Sequence, residues 1–292
     1  MKTYLRYSVA LLCLVLSWSC GTFDKGIRVG SKGATEHQLL GEIAAQLLEK
    51  ANFKVVRRLG LGDTGLLHST ISSREVDLYP EDSLSAVTLT MREAASMDAA
   101  AAYERIRGEF ARQYGMRVLP YLGASNQTSF VILKSLAQKE GIADLSTAAA
   151  SKIQWQMGMS PDFAGRGDGQ SALAVSYKLQ QRFGAMTLSG AELYQALKDN
   201  QINIVAGGKS DGMANDPEFQ KLEDDKHVFP PSNYFLIASE ALFAERPGVE
   251  AALSRMTGKI STEELSRMVR EIEVGKRDIP AVAKDFLARA AI

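Results

Sequence analysis

The sequence predicts an α/β fold, and residues 28–82 carry most of that prediction. Their pattern reads strand, helix, strand, helix, strand. Glycine-rich turns, Gly-Ser-Lys-Gly at 30–33 and Gly-Leu-Gly-Asp-Thr-Gly at 60–65, fall where the first two strands end. In open α/β sheets such turns lie at the carboxyl ends of strands, where ligands bind.

The elements follow in order. After the first strand, Thr35 with Gln38 forms a capping-box signal for a helix. Leu39, Leu40, Ile43, Ala44, Leu47 and Leu48 then share one helical face. Residues 53–58 read as the second strand, 59–65 as a loop, and 75–82 close the unit after a second helix. A long helix spans 99–113, and strands cover 115–119 and 129–133 with a polar crossover, 123–128, between them. Ser189 with Glu192 caps a further helix; 201–206 reads as a strand that Gly207 and Gly208 break. Residues 227–231 read as a return crossover and 240–292 as a helical tail, with Ser261 and Glu264 as another capping box. There is no internal repeat or low-complexity segment.

Composition narrows the class. The 292 residues suffice for two domains, and 46% apolar with 23% charged residues is ordinary for a globular protein. The net charge of zero argues against nucleic acid as a partner. Residues 1–20 read as an export signal: Lys2 and Arg6, then an apolar run at 8–16 too short to span a bilayer, then small residues at Ser17 and Ser19. Cys20 follows, the expected point of lipid attachment; the alternative is a plain cleaved signal with an incidental cysteine. Cys13 lies within the signal, so the mature chain has no intramolecular disulfide to rely on. A monomer in the periplasm or on the outer face of the membrane is expected. With no P-loop and no further long apolar run, the chain is neither permease nor ATPase.

A set of short segments goes further. They are Val-Gly-Ser-Lys-Gly at 29–33, Tyr-Pro-Glu at 79–81, Leu-Pro-Tyr-Leu-Gly at 119–123, Phe-Ala-Gly-Arg-Gly-Asp-Gly at 163–169, Ser-Asp-Gly at 210–212 and Phe-Pro-Pro at 229–231. In order and spacing they resemble the glycine betaine/choline/carnitine family of ABC-transporter substrate-binding proteins. The resemblance implies a two-lobed type II periplasmic-binding fold with two hinge crossovers. Lobe 1 would comprise 21–124 with 229–292, and lobe 2 would comprise 125–228. It implies a small solute as ligand and, as partners, an ABC permease with a separate ATPase. The alternative is a ligand sensor or scaffold of the same fold, uncoupled from transport.

The same resemblance locates a site. Family members hold quaternary ammonium groups in an aromatic cage by cation–π attraction. The four cage positions fall on Asp82, Thr128, Gly208 and Ser232 here, none of them aromatic. A small shift in alignment would bring Phe130 or Tyr234 into the pocket instead. Lys32 and Arg166 match family positions that suit a ligand carboxylate. The expected ligand is therefore a different small polar or zwitterionic solute, held by Lys32, Asp82, Thr128, Arg166, Gly208 and Ser232, with Lys209 nearby. Plainer readings stand beside these: Asp82 ion-pairs with Lys32 or Arg166, Gly208 is a turn glycine, Ser232 is a surface residue, and Lys209 is solvated. Tyr79 and Trp155 are expected in the core. No enzyme activity, metal or cofactor is expected: His37, His68 and His227 are far apart in sequence, and Asp224-Asp225 reads as an exposed pair.

Overall fold

The computed structural model describes residues 25–179, 184–188 and 190–292. The signal segment, Cys20 and Ser189 lie outside them. Ten strands are found among the described residues: β1 (Ile27–Lys32), β2 (Val55–Gly62), β3 (Leu78–Asp82), β4 (Met116–Val118), β5 (Thr128–Leu133), β6 (Met157–Met159), β7 (Met186–Thr187), β8 (Ile204–Gly208), β9 (Phe219–Leu222) and β10 (Tyr234–Ser239). They form two five-stranded sheets, ordered β2-β1-β3-β10-β4 and β7-β6-β8-β5-β9. β1 runs parallel to β2 and β3, whereas β10 runs antiparallel between β3 and β4. The second sheet repeats the scheme, with β6 parallel to β7 and β8 and β5 antiparallel to β8 and β9.

Helices cover the sheets because their apolar stripes require it. The six predicted face residues of helix Thr35–Lys50 are all buried, packed on β1 and on the tail helices Thr262–Glu273 and Ile279–Arg289. Each fully buried leucine or isoleucine there contributes about 1.5–3 kcal/mol. The tail therefore completes the core of the first sheet. Trp155 and Tyr79 are buried in the cores, as expected.

The chain passes from β4 to β5 and returns from β9 to β10. The two passages are hydrogen-bonded to one another. Asn126 N donates to Ser232 O at 2.5 Å, Tyr234 N to Ala124 O at 3.1 Å, and Gln127 Nε2 to Phe229 O at 2.9 Å. Gly123 opens the first passage at φ +112°, where a Cβ would meet Ile260 O at 2.8 Å. A side chain is excluded there on both counts.

Several boundaries differ from the sequence reading. Thr35 is inside its helix, whose N-cap is Ala34; Gln38 instead donates to Gly33 O. β2 continues through the supposed loop to Gly62, opposite Lys32, because glycines there tolerate an irregular register. β8 likewise runs through Gly207 and Gly208, which pair with Ser129 and Thr128. The long helix is α-helical to Glu109 and then opens into a π-helical turn, Phe110–Tyr114. Asp224 is not a solvating surface acid. It accepts from Tyr177 Oη, Val228 N and Phe229 N, and so shapes the entry to the return crossover. Ser261 does cap its helix, accepting from Glu264 N at 3.1 Å.

Candidate functional site

A cavity of about 390 Å³ lies between the two sheets, lined from both sides and from the first crossover at Asn126. Strand ends place its side chains. Lys32 ends β1 and Asp82 ends β3, while Glu36 and His37 start the helix that follows β1. From the facing sheet come Asp162 and Phe163 on the short helix Pro161–Gly165, Arg166 at its end, and Asp211 in the turn after β8.

Lys32 is the centre of one cluster. Its side chain is only 5% exposed, and Nζ lies 2.7 Å from Glu81 Oε1, 3.0 Å from Asp82 Oδ2, 2.9 Å from Asp162 Oδ2 and 3.2 Å from Thr64 Oγ1. Burial opposes the ammonium charge, yet Asp162, Asp82 and Glu81 together raise its pKa well above the ordinary value. Glu81 is pushed up to about 8, chiefly by burial, with Lys32 opposing. Burial also acts on Asp82, but Lys32, His37, Ser85 N and the Ser232 hydroxyl outweigh it and hold its pKa far below the usual range. The plain reading of Asp82 is therefore observed: it pairs with Lys32. Asp162 adds a bond from the opposite lobe and also lies 3.2 Å from the Thr64 hydroxyl.

His37, Glu81 and Asp82 each bring one ligand atom within 4.8 Å of the others, the spacing of a metal site. The Lys32 ammonium already bonds both carboxylates, so the cluster holds an internal cation instead.

The remaining predicted residues divide. Arg166 Nε meets Asp168 at 3.2 Å, Nη2 donates to Thr128 Oγ1 at 3.1 Å, and the guanidinium lies 5.2 Å from the Phe163 ring centroid. Thr128, Arg166 and Gly208 thus line the cavity together with Lys32 and Asp82. A Cβ at Gly208 would sit 1.8 Å from Asn126 Oδ1, so the glycine admits that amide. Ser232 is buried rather than on the surface, and outside the cavity wall. Its hydroxyl donates to Asp82 Oδ1 at 2.7 Å and so orients that carboxylate. Lys209 points to a different groove, where Nζ donates to Gln127 Oε1 at 2.6 Å.

Phe163 is the one Phe, Tyr or Trp that lines the cavity among the described residues. Phe130 packs in the second core against Phe163 and Phe229. Tyr234 is buried behind His37 and bonds Ser210 at 3.0 Å. Neither rebuilds a cage.

Comparison with known proteins identifies the class. A family model described as the substrate binding domain of ABC-type glycine betaine transport system matches residues 25–289. The chain belongs to that family. It is a substrate-binding domain, not an enzyme. Relatives in the family include a carnitine transport binding protein of Listeria monocytogenes, 25% identical over 275 residues that cover 92% of this chain and 88% of that protein. An ergothioneine transport permease/ergothioneine binding protein of Helicobacter pylori is 26% identical over 273 residues, 92% of this chain; the chain spans about half that relative's length, 48%. A crystal structure of a glycine betaine/carnitine/choline ABC transporter shares the fold, with a TM-score of 0.75 at 22% identity over 91% of this chain and 98% of that one. The two-lobed type II periplasmic-binding fold follows. No helix among the described residues is long and apolar enough to cross a membrane.

Among the cleft residues that sequence reasoning missed are Glu36, His37, Asp63, Asp162 and Asp211. Glu36 lies three residues after the Val-Gly-Ser-Lys-Gly segment that carries Lys32, which was a usable signal. Asp162 immediately precedes the Phe-x-x-Arg segment, and Asp211 lies within Ser-Asp-Gly. Nothing local announces that these acids face Lys32 and Glu36.

Proposed function

We propose that this protein captures a small polar or zwitterionic solute other than a betaine held in an aromatic cage, and delivers it to an ABC permease driven by a separate ATPase. The observation that carries this reading is the cavity wall: Phe163 is its one Phe, Tyr or Trp among the described residues, set among carboxylates, the His37 imidazole, a guanidinium, Thr128 and a few aliphatic side chains. A trimethylammonium group offers no N–H, so it forgoes the charge-assisted hydrogen bonds these acceptors offer, and a single such ring leaves it no cage of ring faces. On this reading Thr128, Arg166, Asp82 and the Gly208 backbone contact the ligand, and Lys32 and Ser232 hold Asp82 in place. Closure follows because a ligand touching both lobes favours the state in which they approach. Lobe 1 is taken as 21–124 with 229–292 and lobe 2 as 125–228. The export signal and Cys20 would place the protein outside the cytoplasm, tethered by lipid.

The test is thermal stability of the chain from Gly21 onward against glycine betaine, carnitine, choline, ergothioneine, amino acids, amines and sugars. A ligand at 100 times its Kd adds about 2.7 kcal/mol. Shifts are expected with amino acids, amines or sugars and not with glycine betaine or choline. A comparable shift with glycine betaine or choline would refute the reading.

A further inference from the structure

We propose that the ligand is an organic cation bearing N–H bonds, a protonated amine or amidine, received between Glu36 of one lobe and Asp211 of the other with the His37 ring as a further acceptor. This rests on the proposed function and specifies the chemical class for the same cleft.

Charge is the first argument. The acids lining the cavity are Glu36, Asp63, Asp82, Asp162 and Asp211, against two bases, Lys32 and Arg166. Lys32 is already shared among three carboxylates, and the charge of Arg166 is matched by Asp168. Neither base is left in excess for a ligand carboxylate. Glu36 and Asp211, by contrast, pair with no lysine or arginine among the described residues. Glu36 sits in the first turn of its helix, where the N-terminus favours an anion.

Unmet hydrogen bonding is the second, independent argument. His37 is 2% exposed and lines the cavity, yet neither ring nitrogen has a hydrogen-bond partner. Nδ1 is 3.3 Å from Glu36 Oε1 and Nε2 is 3.9 Å from Asp82 Oδ2, neither in bonding geometry. A buried imidazole without a partner is costly, and an N–H donor in the cavity would satisfy it. Asp211 takes Tyr194 Oη at 2.7 Å and Gly208 N at 2.9 Å, both on Oδ2. That leaves Oδ1 for a further donor.

The carboxyl behaviour agrees. Asp211 is pushed up to about 7, first by burial and then by Glu36 across the cleft. Two acids thus repel one another across a gap where a cation would relieve both.

Matched pairs of probes test this by titration calorimetry on the chain from Gly21 onward. Ethanolamine and choline differ only in N–H against N-methyl, as do glycine and glycine betaine; putrescine and agmatine extend the amine and guanidine series. Binding of at least one amine or guanidine cation is expected, weakened at least tenfold by Glu36→Gln and, separately, by Asp211→Asn. Both variants keep the side-chain shape, and their melting curves establish folding. Glycine binding without any of the cations would overturn this inference and leave the proposed function standing. Choline or glycine betaine binding would overturn both. No binding by any cation, or binding unchanged in both variants, would also overturn it.

Discussion

Replacing Lys32 with methionine removes the one cation that bonds Glu81, Asp82 and Asp162. With Glu81 pushed up to about 8, Asp82 and Asp162 carry the negative charge at neutral pH. The variant leaves both facing a buried apolar side chain. Breaking a buried pair by removing one partner costs about 3–5 kcal/mol. For a chain of this size that corresponds to a fall in Tm of roughly 10 °C. The pH dependence carries a sign. Asp82 and Asp162 are held below their ordinary range, so their stabilisation is complete above about pH 4 and lost as pH falls through their folded values. In the variant both carboxyls rise and bind protons readily. The gap between the proteins is therefore widest at neutral and alkaline pH and narrows on acidification. Urea unfolding at pH 7.5 and pH 5, followed by circular dichroism, reads this directly. Adding Asp162→Asn to the variant should recover part of the loss. A deficit under about 1 kcal/mol at pH 7.5, or one that grows at pH 5, would show that Lys32 does not hold this cluster.

Three further outcomes are expected. Glu81 contributes stability that is full below its ordinary value of 4.5 and is lost progressively until pH has risen past about 8, so Glu81→Gln should match the parent near pH 4 and melt increasingly above it toward pH 9. Asp162→Asn weakens the 2.9 Å bond between lobes by about 1–3 kcal/mol, and small-angle scattering of the ligand-free protein should show a larger radius of gyration. Gly208→Ala, whose new methyl collides with Asn126, should cost about 1–3 kcal/mol by chemical denaturation, and Gly208→Tyr should fail to restore an aromatic wall or betaine binding.

Much of the fold was legible because its signals are local. The apolar stripe of helix Thr35–Lys50 and the cap at Ser261 need only neighbours a few residues apart. The crossovers at 123–128 and 227–231 were legible as polar or proline-marked breaks, but the sheet order was not, since periodicity cannot say that β10 inserts between β3 and β4. Five of the six predicted site residues fall along one cavity wall, but their bonds were not legible. Lys32, Asp82, Thr128, Arg166 and Gly208 do share one cavity. What Lys32 does there depends on Asp162, 130 residues away and on the other lobe. Ser232 looked like a loop residue because the carboxylate it orients is 150 residues earlier in the chain. His37 looked isolated among three scattered histidines; only burial without a partner sets it apart. Misread strand ends at Gly62 and Gly208 share one cause: glycine marks a turn by propensity, yet a strand tolerates it where a neighbouring backbone or side chain comes close.

The two connections between the lobes are bound edge to edge by Asn126 N on Ser232 O and Tyr234 N on Ala124 O, with Ser125 and Asn233 bridged as well. Two unlinked tethers would let the halves slide, twist and tilt. A hydrogen-bonded ribbon behaves more like a leaf spring: it flexes across its thin face and resists shear within its plane. Each opening then retraces one arc, and the jaws come back into the same alignment without searching for it. Because Ser232 belongs to that ribbon and also grips Asp82, the spring and the floor of the cleft are parts of one mechanical unit.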